Sequence, residues 1–488
     1  MPITTVHYAT TTRMAAITDY TGVVTGTLAN NTARQANRAA IQAAVDDCSA
    51  NNKILIVPPG RYEIHLAGLI IPGDFRLIGT MGSVIVQYSL DQPVVHVGPP
   101  LTTAGQTVEN TTVDGLYLQY NGSATAGGNG LELVGAYMCS FKNLQIGDVQ
   151  APYSSRSSVP YMGVYCDETT GTIPCFSCSW DTVRIKHWGY RGFSAKRTAY
   201  DAATGNVWTN LYIAGGNSSG TQDTSALAGS AALALGSQAQ AVFNQLNIEW
   251  VKLQKAVEME ICNQMIFNGV NLEGITLKAS SSQPCSFFDL YGGSATIEGV
   301  TINNCTITTA NNVATAAILR LGGPNSCARL NNIRPLLNVG VTAPFYGVVS
   351  NSSTSSRVDL GQFALGDTDA LTAYDDGVWS AVATNGYGLL NDFNGGTVRT
   401  LADANATLYA YRGASVVRIP ASTTRTVVLS RQCSSTITAI IPPGTRVRIK
   451  STGASSVAVQ NYNAAALATI TTGTFAEFVF DGTNWLLA

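Results

Sequence analysis

Phe243-Asn244-Gln245-Leu246-Asn247-Ile248 returns 24 residues later as Phe267-Asn268-Gly269-Val270-Asn271-Leu272. Each copy has a large apolar residue, two fillers, a branched apolar residue, one filler and a last apolar residue. Working outward, the same phrase runs from Val113 to Leu118, Phe141 to Ile146, Trp180 to Ile185, Trp208 to Ile213 and Ile297 to Ile302, with a degraded eighth copy from Leu330 to Pro335. The fourth residues are Leu116, Leu144, Val183, Leu211, Leu246, Val270, Val300 and Ile333, giving gaps of 28, 39, 28, 35, 24, 30 and 33. A phrase that holds while its spacing varies describes a solenoid rung with loops of variable length.

The two apolar residues that end each phrase alternate with a filler, which is strand periodicity. The asparagine, glycine or threonine that usually precedes the fourth residue suits a bend. A single coil of this kind cannot bury its apolar side, whereas rungs stacked at about 4.8 Å in parallel register make a continuous core. The expected fold is therefore all-β: a parallel β-helix.

The chain has 488 residues, of which 12% are charged, and a formal charge of -2. No basic run is present, so a nucleic-acid backbone is not the expected partner, since phosphate binding needs clustered lysine and arginine. The longest small-apolar run, Ser225 to Gly236, is broken by Gly229 and Ser230, so no membrane insertion is expected. The chain opens on no basic segment followed by an apolar stretch, which gives an expectation of cytoplasmic synthesis without a signal peptide. A surface of aromatics, hydroxyls and amides suits hydroxylated ligands, sugars above all. Cysteines such as Cys139, Cys178, Cys262 and Cys305 sit beside or within rungs, where a small polarizable side chain packs well. Cys175 and Cys178 form a C-x-x-C, with Cys166 and His187 nearby, but no second pair follows at finger-like spacing; neither a metal nor a cofactor is expected.

From Asn31 to Ala50 the pattern predicts a helix, capped by Asn31 or Thr32, with Ala36, Ala40, Ile41, Ala44, Val45 and Cys48 as its apolar stripe. A strand from Ile54 to Val57 and two further apolar stretches, Leu69-Ile70-Ile71 and Phe75 to Gly79, would close the end of the coil. The expected organisation is an N-terminal arm over 1–30, a helix-plus-strand cap over 31–100, the β-helix over 101–349, a polar linker over 350–360 and one or two β-rich domains over 361–488.

The run from Thr32 to Gly79, with Ala40 to Val45, Val57-Pro58-Pro59-Gly60-Arg61-Tyr62 and Leu77-Ile78-Gly79, resembles the entry segment of the pectate-lyase-like right-handed β-helix superfamily. Within it, the closing stretch Phe475 to Trp485 looks like a bacteriophage tailspike or depolymerase. The usual paired aspartates are here Asn30-Asn31. Val183-Arg184-Ile185-Lys186 matches only superficially the polygalacturonase Arg-Ile-Lys element, whose Asn-Thr-Asp and Gly-His-Gly partners are missing. The resemblance implies a right-handed coil, a homotrimer on the virion tail beside other phage tail proteins, a bacterial surface polysaccharide as partner, and a terminal domain that trimerises or binds carbohydrate.

In each rung the filler between the last two apolar residues, and the residue after them, should point outward. This column reads Arg184 with Lys186, Tyr212 with Ala214, Asn247 with Glu249, Asn271 with Glu273, and Thr301 with Asn303. Glu249 and Glu273 hold the same place in consecutive copies, about one rung spacing of ~4.8 Å apart in a stacked coil. Two carboxylates so placed raise one pKa and leave an acid beside a base or nucleophile, as glycoside cleavage requires; a separation near ~5 Å would favour retention and about two rungs inversion. Trp250, His187, Trp188 and Tyr190 stand close by, the aromatics suited to stacking on sugar faces. Asp181, Asp201 and Asp223 are further acids. Trp180 and Trp208 share the slot of Phe141 and Phe243 and belong to the core, and His65 and His96 fall in apolar strands as structural residues.

Three functions follow. The first is endo-hydrolysis of a capsule, exopolysaccharide or O-antigen, with Glu249 and Glu273 catalytic and Trp250, Asn247, Asn271, Arg184, Lys186, His187, Trp188 and Tyr212 holding the polymer. The second is β-elimination of a uronate polymer, using Arg184, Lys186, His187 or Tyr212. The third is a receptor-binding spike that holds polysaccharide without cutting it.

Overall fold

The computed structural model describes residues 14–99, 107–147, 160–166, 174–196, 203–217, 220–223, 230–279, 285–309, 316–322, 326–336, 345–350, 357–360, 387–390, 398–400, 403–408, 416–431 and 446–488. The chain forms two compact units, Met1–Val251 and Lys252–Ala488. That division falls inside the stretch expected as one solenoid. Its architecture is the all-β parallel β-helix that the phrase predicts. No helix among the described residues is long and apolar enough to cross a membrane.

In the first unit the strands Thr112–Asp114, Ser140–Lys142, Ser179–Asp181, Val207–Ala214 and Val242–Glu249 pair in parallel, one on the next. The register sets Val113, Phe141, Trp180, Trp208 and Phe243 in one line. All are buried, as are both apolar residues that close each of their phrases. The rings stack at 4.2 Å between Phe141 and Trp180 and again between Trp208 and Phe243, with 6.4 Å between the two indoles. Phe193 meets both indoles edge-on at 5.0 and 5.8 Å, which places the tryptophans in the core as expected.

The corner is more uniform than the sequence suggests. The third residue of all eight phrases is left-handed: Gly115, Asn143, Thr182, Asn210, Gln245, Gly269, Gly299 and Asn332, with φ between 50° and 70°. Glycine and asparagine tolerate this region best, which explains their frequency at this position. Asparagine adds a rung-to-rung bond: Asn143 Nδ2 donates to Asp114 Oδ1 at 2.9 Å. The degraded eighth copy keeps the corner and keeps Leu330 and Ile333 buried.

The predicted helix spans Asn31–Ala50, but its cap is Asn30, whose Oδ1 accepts the Ala33 N–H at 2.9 Å, rather than Asn31 or Thr32. Its buried face holds Asn37 while Ala36 is exposed. Asn37 is accepted there because its amide bonds the Val24 N–H, the Val24 carbonyl and the Glu63 carbonyl. A buried strand at Ile54–Val57 follows as expected.

In the second unit, Lys255–Glu273, Cys285–Asn303, Ala316–Leu321 and Ser326–Leu336 form parallel ladders with Val270, Val300 and Ile333 in line. Pairing does not decay after Ile333. Phe345–Ser350, Arg357–Leu360 and Tyr387–Leu390 add further parallel strands. The stretch expected as a linker thus contains a strand: backbone pairing needs no apolar phrase, and Arg357-Val358-Asp359-Leu360 alternates. Residues 351–356 of that stretch lie outside the described residues. The C-terminal region is again a parallel coil. Val398–Thr400, Val416–Ile419 and Arg446–Ser451 make one side, extended by antiparallel Phe475–Phe480 and Trp485–Leu487. Ala406–Leu408, Arg425–Leu429, Val457–Asn461 and antiparallel Ala466–Ile470 make the other. Ile419, Val427, Ile449, Val459, Phe478 and Trp485 pack between them.

Candidate functional site

Parallel pairing fixes what stands beside what on the first unit's outer face. Arg184 pairs with Tyr212 and Tyr212 with Asn247; two residues on, Lys186 pairs with Ala214 and Ala214 with Glu249. Residues two apart on a strand share a face, so Arg184, Lys186, Tyr212, Asn247 and Glu249 lie together on one surface. Arg184 is exposed, and Lys186, Tyr212, Asn247 and Glu249 are half-buried. Ala214 departs from the expected column: it is buried between the longer Lys186 and Glu249.

The side chains make a connected group. Tyr212 Oη donates to Glu249 Oε2 at 2.9 Å, and Lys186 Nζ stands 5.8 Å from the centroid of the Tyr212 ring. The Tyr212 hydroxyl thereby fixes the orientation of the Glu249 carboxylate on this face. Trp250 follows at a corner with φ of 52°, a rare conformation for a bulky residue, and is half-buried on that turn.

Two expected substrate contacts are overturned. His187 and Trp188 are 1% and 0% exposed, so neither presents a face to a polymer. Lys186 ends its strand and His187 takes the left-handed corner, φ 62°, with its N–H donated to the Ala214 carbonyl; the chain turns there and carries Trp188 into the interior. Tyr190 is half-buried, its ring stacked on Tyr161 at 5.5 Å and covered by the Arg191 guanidinium at 4.7 Å.

Glu249 belongs to the first unit and Glu273 to the second. Within its own unit Glu273 pairs with Asn303, and Asn271 with Thr301; Glu273 and Asn271 are half-buried. Asp181 is exposed and accepts from Thr182 Oγ1 at 3.0 Å. Asp201 and the Asp223 side chain lie outside the described residues.

One charged network went unread in the sequence. In the second unit Glu258, Asp289 and Arg320 stand in register, each 31 residues after the last, a repeat of charge that was the available signal. Asp289 accepts from Arg320 Nε at 2.9 Å and Nη2 at 2.7 Å and meets Lys255 Nζ at 2.7 Å; Lys255 also pairs with Glu258. Burial pushes the Asp289 carboxyl up, but the two cations outweigh it and hold it below the usual range, so Asp289 is a fixed anion in a structural network. In the first unit buried His96 bonds Glu132 through Nδ1 at 3.0 Å and the Pro99 carbonyl through Nε2 at 3.1 Å, the structural role expected of it.

No family model and no curated protein matches the chain. Among solved structures it is similar to the Agl-KA catalytic domain, at 14% identity over 71% of this chain and 64% of that one, with a TM-score of 0.40. It is similar to PfbA, a surface adhesin of Streptococcus pneumoniae, at 10% identity over 97% and 99% of the two chains, TM-score 0.46. It is also similar to the Dettilon tailspike protein, at 11% identity over 71% and 68%, TM-score 0.26. The chain spans less than two thirds of the length of the Agl-KA domain.

Proposed function

We propose that the protein is a phage tailspike depolymerase, a homotrimer of the virion tail that binds a bacterial surface polysaccharide and hydrolyses its glycosidic bonds. The observation that carries the cleavage reading is the Tyr212–Glu249 hydrogen bond, 2.9 Å long, on an outer β-helix face that also bears Arg184, Lys186 and Asn247. A sheet face that follows the stack suits a polymer bound along its length, as an endo-acting enzyme needs. Glu249 serves there as base or nucleophile, its carboxylate oriented by the Tyr212 hydroxyl. Trp250 and Asn247 hold sugar rings and hydroxyls. Glu273, with Asn271, is a separate candidate carboxylate of the second unit.

A second reading has its own support. Arg184 lies directly opposite Tyr212, and Lys186 approaches its ring. Beta-elimination needs a cation against the uronate carboxylate and a base at the neighbouring carbon, roles open to Lys186 or Arg184 and to Tyr212 relayed by Glu249.

The test is digestion of a panel of capsules, exopolysaccharides and O-antigens, followed by size-exclusion chromatography, reducing-end assay and ultraviolet absorbance. Glu249→Gln is expected to lower the rate at least about a hundredfold and Tyr212→Phe about tenfold, with binding retained. Reducing ends without ultraviolet absorbance mean hydrolysis; an absorbing unsaturated product means elimination. Undiminished cutting by Glu249→Gln rejects the assignment, and loss of cutting only in Glu273→Gln moves the chemistry to the second unit. Binding without any shortening would leave a receptor-binding spike.

A further inference from the structure

Charge is sparse in this chain and its net value is -2, yet one sheet face is cationic. In the strand Arg446–Ser451, Val447 and Ile449 are buried while Arg446, Arg448 and Lys450 alternate onto the opposite, outer face. Directly across the neighbouring strands, Arg418 pairs with Lys450, Lys450 with Phe475, and Arg448 with Glu477. Partners in register share a face about 5 Å apart. Five residues therefore place four cations against one carboxylate.

That carboxylate is already used. Glu477 receives Arg446 Nη1 at 3.0 Å and Arg448 Nε at 2.8 Å. Arg418 and Lys450 face each other with no carboxylate partner among the described residues. Like charges directly opposite destabilise a sheet, so the row carries a cost that an anion would remove. Beside them Phe475 is 63% exposed, with the Arg448 guanidinium 5.9 Å from its ring centroid. An aromatic face next to an unpaired cation pair fits a sugar ring carrying an acidic substituent.

We propose that this outer face binds an anionic polysaccharide: Arg418 and Lys450 take its carboxylate, sulfate or phosphate groups and Phe475 its ring. The inference rests on the reading of the protein as a glycan-binding spike and adds the sign of the glycan's charge. Nucleic acid is disfavoured because tight phosphate-backbone binding uses about 6–10 contacts, and only two unpaired cations stand here.

Binding of the full chain to immobilised alginate, dextran sulfate, neutral dextran and double-stranded DNA tests it, at about 50 and about 200 mM salt. Alginate and dextran sulfate should bind and dextran should not. The double variant Arg418→Ala/Lys450→Ala should weaken the acidic polymers about tenfold and flatten the salt dependence, and Phe475→Ala should weaken them about threefold. Arg418 and Phe475 are exposed and Lys450 is half-buried, so a melting temperature no lower than that of the wild type will certify folding. Wild-type affinity in the double variant, equal binding of dextran, or DNA bound more tightly than either acidic glycan overturns the proposal. Glu249→Gln that binds but does not cut leaves this inference standing, whereas cutting of a neutral host glycan unaffected by the double variant sinks it and spares the enzyme.

Discussion

Glu63 shows how one residue in the cap holds several segments. Its side chain is buried, and Oε2 takes the Arg34 Nε–H at 2.9 Å and the Leu28 N–H at 3.0 Å, while Oε1 takes Arg61 Nε–H at 2.9 Å and the Tyr88 hydroxyl at 2.7 Å. Burial pushes the carboxyl up, but Tyr88, Leu28 and the two guanidiniums prevail and bring it down to about 2 from 4.5. A depressed carboxylate stabilises the fold fully above its ordinary pKa and loses that contribution as pH falls from about 4.5 through about 2. The melting temperature of the wild type should therefore fall over that window more steeply than that of Glu63→Gln. At pH 7 the variant should be less stable by about 3 kcal/mol, because two arginines lose their partner. Equal acid slopes would refute this. Nothing in the repeat phrase marked Glu63: its partners come from positions 28, 34, 61 and 88, and only folding assembles them.

At the scale of the element, the rung is a strand, a left-handed corner and a second strand. Two glycines separate the corner's conformational demand from its steric one. Gly269, φ 70°, has open space where a Cβ would go, whereas a Cβ on Gly115, φ 69°, would lie 2.4 Å from the Gly79 carbonyl oxygen. Gly269→Ala should cost about 1 kcal/mol, the left-handed penalty alone, and Gly115→Ala about 1–3 kcal/mol more from the clash. Urea-unfolding midpoints measure both, and equal losses would show that the corner relaxes freely. The phrase was legible because its apolar period is local. The corner's uniformity was not, since threonine and glutamine at Thr182 and Gln245 adopt left-handed backbone only where the rungs on either side impose it. The inward turn of Trp188 is the same effect: the left-handed corner at His187 resets which way the next residue points, and no residue pattern around Lys186 marks that corner.

For the whole molecule, the spike reading predicts a mass three times the 51.2 kDa of one chain by sedimentation velocity. A monomer at micromolar concentration would contradict it. The sequence by itself determined the parallel β-helix, the buried positions of its rungs, the helix over Asn31–Ala50 and the outer column that holds Tyr212 and Glu249. Each follows from a period of a few residues, which backbone geometry converts directly into a face. It even contained the alternating Arg446-Val447-Arg448-Ile449-Lys450, whose cations must share one side of a strand. Only the tertiary structure decided that Arg418 and Phe475 join that row, that Tyr212 bonds Glu249, and that His187 and Trp188 are interior. Those facts depend on strand register and on loop lengths between rungs. Register is fixed by packing of the whole core and not by any residue's neighbours in the chain.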